Sequence, residues 1–503
     1  MDTITLSEFN PSGLSILPFE LLLSILVLLD FRDLLHCSEV CRHLNTLVKH
    51  TVELQYIVEL AVDGMSDGPP SDLSASDRLQ LLLERREMRH TLSQGQSRVI
   101  LPEIWAIFDY QHRALTRAIP SDDEVESIES IQVTFPATNG QPERLIVIDN
   151  FDVGPVIGFV VDPVLDLVVL LTSNAGQMSE ETLYLSLHLR TLGSFAKDAH
   201  PDCRDPVIRA SLSDTYQLPL DMWAIRIRLT DDNVGLYFRR EDAVASTVLI
   251  WNWKSGALLA VIDNPASLTI RDFNFISQTA FLVTVVVRRG PFEDEKECIE
   301  EISIRLYHLG SHPSSYSLAS PALIMYLPSV AESPFPGGRS FYFDFTAHSG
   351  PFTTMASPNR PFLVSESSRI HVFDLEVKSP VDGYSVDGLL VRLVVQQKTF
   401  LSLLNSCPRS GETRSLAWEE WGPPNTRLYE HGRGPHNPRR FSCSSVLAEF
   451  LPERLKISRI ADFNVEASKG WELVTEPTIL RRPRVFAKPV MTSLPYRQVV
   501  IPT

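Results

Sequence analysis

Apolar residues crowd the first fifty positions too densely for a single helical stripe. Leu17-Pro18-Phe19-Glu20 predicts a helix start, with Pro18 in the first turn, where its missing N–H costs nothing, and Glu20 near the positive end of the helix dipole. The run that follows, Leu21 to Leu29, is broken only by Ser24, so apolar groups point in every direction around the helix. Such a helix must be covered on several sides. Asp30 is placed to cap a second helix through Arg32, Asp33, Leu34 and Leu35, and Ser38 to cap a third with Glu39 in its first turn. Val40, Cys41, Leu44, Leu47 and Val48 then recur at helical spacing. Three helices this short cannot hide so much leucine among themselves, because units below roughly 40 residues rarely hold their own core. The surplus apolar surface predicts a partner.

Helical character continues from Thr51 to Asp63 and stops at Gly64, followed by the turn Asp67-Gly68-Pro69-Pro70. Ser74 and Asp77 offer caps for a further helix that turns Leu79, Leu82 and Leu83 inward and Glu84, Arg85, Arg86, Glu87 and Arg89 toward water. From about Gln94 the helical period gives way to short runs of Val, Ile, Leu, Phe and Tyr, separated by Gly, Pro, Asn, Asp and Ser. No helix is expected there. Val156–Val161 and Leu165–Leu171 read as a strand pair split by Asp162-Pro163, with Leu183–Leu189 as a third strand. A clearer set is Trp223–Leu229, Val234–Phe238, Thr247–Trp253 and Leu258–Ile262, with turns at Asp231-Asp232-Asn233 and Lys254-Ser255-Gly256. Four strands in about forty residues make one propeller blade. Weaker echoes fall at Ile270–Phe275, Ala280–Val287, Ile302–His308, Phe341–Phe345, Phe362–Ser365 and Ile370–Leu375, and Cys443–Phe450 and Ile460–Val465 complete the series. The acidic Glu293–Glu297 and the Pro/Ser/Gly-rich Ser311–Gly338 read as solvated loop insertions. The expected organisation is a helical domain over 1–50, a helical linker over 51–93 and an all-β, propeller-like domain over 94–503. The class is multidomain, α then β.

Composition narrows the functions open to this chain. It has 503 residues, 44% hydrophobic and 21% charged, as in a soluble globular protein. A net charge of −16 disfavours a chain-wide nucleic-acid surface. The stretch from His431 to Thr503, with twelve Lys/Arg and six Asp/Glu, is the basic exception. Its clusters, His431-Gly432-Arg433-Gly434-Pro435-His436 with Arg439-Arg440, and Arg481-Arg482-Pro483-Arg484, lack the Gly-Lys-Ser/Thr ending of a phosphate loop and read as surface loops. Asp2 and Glu8 stand where a secretory leader carries positive charge, and the nine-residue apolar run falls short of the ~20 residues of a membrane span. Six cysteines without a C-x-x-C pair suggest reduced thiols and a cytoplasmic or nuclear setting. His36, Cys37, Cys41 and His43 lie close in sequence, yet the two cysteines occupy apolar helical positions, so no metal is expected.

Three resemblances sharpen the reading. The pattern Leu17-Pro18-x-Glu20-Leu21-Leu22-x-x-Ile25-Leu26-x-x-Leu29, then Asp33-Leu34-x-x-Cys37-x-x-Val40-Cys41-Arg42-x-Leu44-x-x-Leu47, resembles an F-box along its whole length, with leucine at 44 where many relatives carry tryptophan. The phrase Glu59 to Asp72, with Arg78-Leu79, is similar to the segment after the F-box in a large group of fungal F-box proteins. Val248-Leu249-Ile250-Trp251-Asn252-Trp253-Lys254-Ser255-Gly256-Ala257-Leu258-Leu259 resembles the third strand, turn and fourth strand of a WD-repeat blade. The F-box resemblance implies docking on a Skp adaptor, which hangs the receptor on a cullin scaffold with its RING subunit. It further implies that Leu17, Pro18, Leu21, Ile25, Leu26, Leu29, Leu34, Val40, Cys41 and Leu44 carry that contact. The plain alternative makes these leucines the core of a helical cap on the following domain.

Catalytic patterns of the G-x-S-x-G, H-E-x-x-H, dinucleotide-fingerprint and kinase kinds are absent, and His188, His308 and His371 fall in strand-like runs. The expectation is a non-catalytic, cofactor-free substrate receptor of a Skp–cullin–F-box ubiquitin ligase, binding an unidentified protein and neither nucleic acid nor membrane. An interaction scaffold that binds the adaptor without presenting substrates is the alternative.

Overall fold

The computed structural model describes residues 17–91, 108–111, 114–121, 127–137, 142–174, 184–211, 223–240, 246–263, 268–289, 298–310, 314–317, 320–331, 342–350, 360–381, 384–408, 412–431, 440–451, 456–481 and 485–500. The acidic run at 293–297, most of the glycine-broken basic loop and Arg482-Pro483-Arg484 lie outside them. The chain divides into two compact units. One takes in residues 1–94, 356–365 and 466–470, and the other the remainder.

The helical unit contains α1 (Phe19–Leu26), α2 (Phe31–Val40), α3 (Arg42–His50), α4 (Val52–Val62) and α5 (Ala75–Thr91). Asp30 caps α2 as expected, its carboxylate accepting the N–H groups of Arg32 and Asp33 at 2.8 and 3.0 Å. Ser38 does not cap α3. It sits inside α2, its hydroxyl donating to the Leu35 carbonyl at 2.7 Å, and α3 begins after the extended Cys41 instead. At α5, Ser74 and Asp77 exchange bonds in both directions, which holds the Asp77 carboxyl below the usual carboxylate range. Phe362–Ser365, expected as a blade strand, instead pairs Phe362–Val364 antiparallel with Met65–Asp67 inside the helical unit.

Among the described residues the β unit holds five larger sheets built on antiparallel strands, the first eight-stranded and counted as two four-stranded halves, each numbered as a sheet; Ser314–Ser317 and Arg414–Leu416 add parallel edge strands to two of them, and Thr478–Leu480 with Val490–Thr492 form a further two-stranded sheet. The first comprises Phe108–Gln111, Ala114–Pro120, Ile128–Phe135 and Arg144–Asp149, and the second Val156–Asp162, Leu167–Ser173, Tyr184–Thr191 and Val207–Ser211. A single pairing, Ile128 with Val156, joins these two. The third runs Trp223–Thr230, Asn233–Arg240, Ser246–Asn252 and Ala257–Asp263, and the fourth Leu268–Ser277, Ala280–Arg289, Cys298–His308 and Leu323–Tyr326. The fifth is Tyr342–Ser349, Ile370–Val381, Tyr384–Gln396 and Thr426–His431; the sixth is Arg440–Cys443, Val446–Leu451, Lys456–Asp462 and Tyr496–Val500.

Buried side chains explain why these strands read as unbroken apolar runs. Phe281, Val283 and Val285 of the fourth sheet enter a core shared with Val248 and Ile250 of the third, whereas Leu282 and Val286 enter another shared with Phe343, Phe345 and Val391 of the fifth. Leu249 and Trp251 of the third sheet enter a different core again, shared with Val169, Leu171 and Leu187 of the second. First and second sheets share a fourth core through Ile131, Val133, Val168 and Leu170, and fifth and sixth a smaller one through Val372, Val394, Leu447 and Tyr496. Each inner sheet is thus packed on both faces by its neighbours in chain order. That layering is propeller-like. Gly235 belongs to the same packing, since a Cβ there would stand 2.5 Å from the Phe273 ring of the next sheet.

Polar bonds tie the leading strands of three sheets together. Arg228 donates to the Ala347 carbonyl at 3.1 Å, Asp272 accepts the Ala347 N–H at 3.0 Å, and Asn274 donates to Ser349 at 3.0 Å. Burial pushes the Asp272 carboxyl above its ordinary range, against the pull of Arg228 and Arg226. The fifth and sixth sheets share buried Arg392, which reaches Asp374 at 2.9 Å and Glu449 at 3.1 Å.

Two further expectations gave way. Helices do occur in the β unit: α6 (Gln397–Asn405) and α7 (Trp418–Asn425) bury Phe400, Leu404, Trp418 and Trp421 in the core between the fourth and fifth sheets. The supposed insertion Ser311–Gly338 contains Leu323–Tyr326, the fourth strand of the fourth sheet, with Leu323 and Met325 fully buried.

Gly235→Val should push Phe273 out of place and cost about 1–3 kcal/mol, read as a lower denaturation midpoint. His371, fully buried against Phe373 and Phe400, has its pKa lowered to about 3, by burial first and with a smaller push from Arg369, against the opposing pull of Gln397. The unfolded chain binds this proton near its ordinary 6.5 and the folded chain does not. Stability from this group is therefore whole above 6.5 and falls by about 1.4 kcal/mol per pH unit toward 3. His371→Leu should move the acid-unfolding midpoint to lower pH.

Candidate functional site: an outward apolar face on the first helices

The helical unit has a core of its own, formed by Leu26, Leu34, Leu44, Val48 and Leu54 with Leu23, Leu29, Cys37, Leu47 and Ile57 beside them. α1 supplies Leu22 and Leu26, one turn apart, as its buried positions. The opposite side of the same helix stays in solvent. Leu21 is 53% exposed, Ile25 42% and Leu28, just past the helix, 83%, a spacing of one turn each. Phe19 and Val27 flank that stripe, and α2 adds Leu35 and Val40, the latter 74% exposed. Exposed apolar residues in such number mark an interaction site more often than an ordinary surface.

The ten residues expected to meet an adaptor therefore divide. Pro18, Leu21, Ile25, Val40 and Cys41 are exposed, Leu17 and Leu29 are half-buried, and Leu26, Leu34 and Leu44 are buried. Those last three pack into the unit's own core in this chain. With 0% exposure, Leu34 has no surface to offer, and it fixes how α1 and α2 present their outer residues. Phe19, Leu28 and Leu35 are outward residues that the motif alone does not single out. Leu28 was legible as the seventh position after Leu21 on one helical stripe.

Charged residues border this face, with Arg32, Asp33 and Glu39 exposed on α2. Glu20 lies in the first turn of α1 and Asp30 is spent on its cap, and α1 has no basic residue in its last turn. Among the described residues no three His, Cys, Asp or Glu side chains converge as a metal site, and Cys37 and Cys41 are free thiols. No helix among the described residues is long and apolar enough to cross a membrane.

Residues 14–54 match the family model described as F-box-like, and the chain carries an F-box-like domain there. No curated protein matches the sequence. Solved structures resemble it only slightly, among them the following three. Kuenenia stuttgartiensis hydrazine synthase is 10% identical, covering 60% of this chain and 67% of its own at a TM-score of 0.30. The β-propeller domain of the Trilobed protease from Pyrococcus furiosus is 10% identical over 72% of this chain and 94% of its own, at 0.27. A prolyl endopeptidase is 9% identical over 60% and 48%, at 0.25. Likenesses this slight carry no functional information.

The division of faces makes opposite demands on neighbouring leucines. Leu34→Ala should destabilise the helical unit by about 2–5 kcal/mol, whereas Leu21→Ala should stay within about 0.5 kcal/mol. Amide exchange across α1–α3 measures both.

Proposed function

We propose that the outward face of α1 and α2 binds a Skp-type adaptor, and that the chain joins a cullin and a RING subunit through it as the substrate-recognition subunit of a ubiquitin ligase. The observation that carries this reading is the stripe Leu21, Ile25 and Leu28, exposed on a helix whose other face is already packed. The β unit presents a protein substrate, with loops between strands as its contact surface. Positioning is the mechanism. Holding a substrate lysine beside the charged conjugating enzyme raises its effective concentration, and the chain itself makes and breaks no bond. Catalysis belongs to the other subunits, and the setting is the cytoplasm or nucleus.

Co-purification of the full chain with a Skp-type adaptor tests this. Leu21→Asp with Ile25→Asp should reduce the bound adaptor by at least about tenfold, because each charge would be desolvated on binding. Leu17→Ala with Pro18→Ala should weaken it in the same direction. Retention of adaptor by the double aspartate variant would refute the interface. Loss of the chain in cells should lengthen the half-life of bound proteins, and unchanged half-lives would leave a scaffold in place of a receptor.

A further inference from the structure

Residues 360–365 belong to the helical unit although they follow α5 by most of the chain's length. They are held there along their whole extent. Ser365 donates its N–H to the Gly64 carbonyl at 2.9 Å, Gly68 donates to the Pro361 carbonyl at 3.0 Å, and Met65, Ser66 and Asp67 pair with Val364, Leu363 and Phe362 between these ends. The Pro361 carbonyl also accepts from the Tyr56 hydroxyl at 3.3 Å and from Arg78 at 3.2 Å. Arg78, in the first turn of α5 and buried, closes the net through Asp67 at 2.5 Å, the Pro69 carbonyl at 2.8 Å and Ser71 at 3.0 Å. Tyr56 donates to Asp67 as well, at 2.7 Å, and burial together with that carboxylate raises its pKa, so it remains a donor. Close packing completes the seat: a Cβ at Gly68 would run into the Arg360 carbonyl oxygen and stand 2.7 Å from Pro361.

Tyr56 and Asp67 of this net also line a groove of about 500 Å³. Tyr56, Met65 and Asp67 line it together with Val27, Leu29 and Phe31. A three-residue strand pair is too short to persist by its own hydrogen bonds. Its order here comes from the shared net.

We propose that residues 360–365 are a built-in strap, whose seating orders Gly64–Gly68 and the first turn of α5 and so fixes the shape of the groove beside the apolar face. The strap is a conformational device independent of what that face binds. Strap, turn and groove wall form one cooperative unit that opens together.

Amide hydrogen exchange on the full chain tests this with two variants. Gly68→Val removes the space beside Arg360, and Leu363→Pro takes an N–H out of the middle of the pairing. Each should speed exchange at both 361–365 and 64–68 by about tenfold or more, while amides of 280–287 in the fourth sheet keep their rates. Arg78→Ala should act in the same direction. Faster exchange at 361–365 with 64–68 unaltered would overturn the proposal, as would unaltered rates in both segments or loosening that spreads to 280–287.

Discussion

An element that is apolar on two sides cannot rest until both sides are covered, and that constraint shapes both units of this chain. In the β unit it is met internally. Alternate residues of one strand enter two different cores, as Phe281 and Leu282 do, and the sheets stack in chain order because each supplies the cover its neighbour requires. In the helical unit the same demand is met only halfway. Leu22 and Leu26 are buried, yet Leu21, Ile25 and Leu28 on the far side of the same helix are not.

Polar groups inside the β unit follow from this stacking. Where leading strands of three sheets converge, backbone groups and side chains satisfy one another through Arg228, Asp272 and Ala347. Arg392 does the same for the fifth and sixth sheets with two carboxylates. Such buried pairs contribute little net stability, because desolvation offsets most of their attraction, but losing one partner is costly. They hold the sheets in one register.

Much of this was legible from residue order. The Asp30 cap, the stop at Gly64, the Ser74/Asp77 start and all four strands of the third sheet fall where periodicity and turn residues place them. What sequence could not resolve depended on tertiary context. Ser38 continues α2 because its hydroxyl bonds back to Leu35, an option open to any serine in a helix. The short, half-buried run Phe362–Val364 carries no mark of which unit it completes. Leu323–Tyr326 is hidden by the Pro/Ser/Gly-rich sequence on either side. Phe400 with Leu404, and Trp418 with Trp421, did show helical spacing, but each helix spans barely two turns amid strands. Within the F-box pattern, inward and outward leucines look alike, and only the packed helices separate Leu34 from Leu21.

The central claim is that the outer side of α1 is left for another protein. Hydroxyl-radical footprinting of the full chain, alone and with a purified Skp-type adaptor, measures this side chain by side chain. Labelling of Leu21, Ile25, Leu28 and Val40 should drop on mixing, while exposed Leu145 on the β unit keeps its rate. Unchanged labelling of those four residues at saturating adaptor would contradict the account.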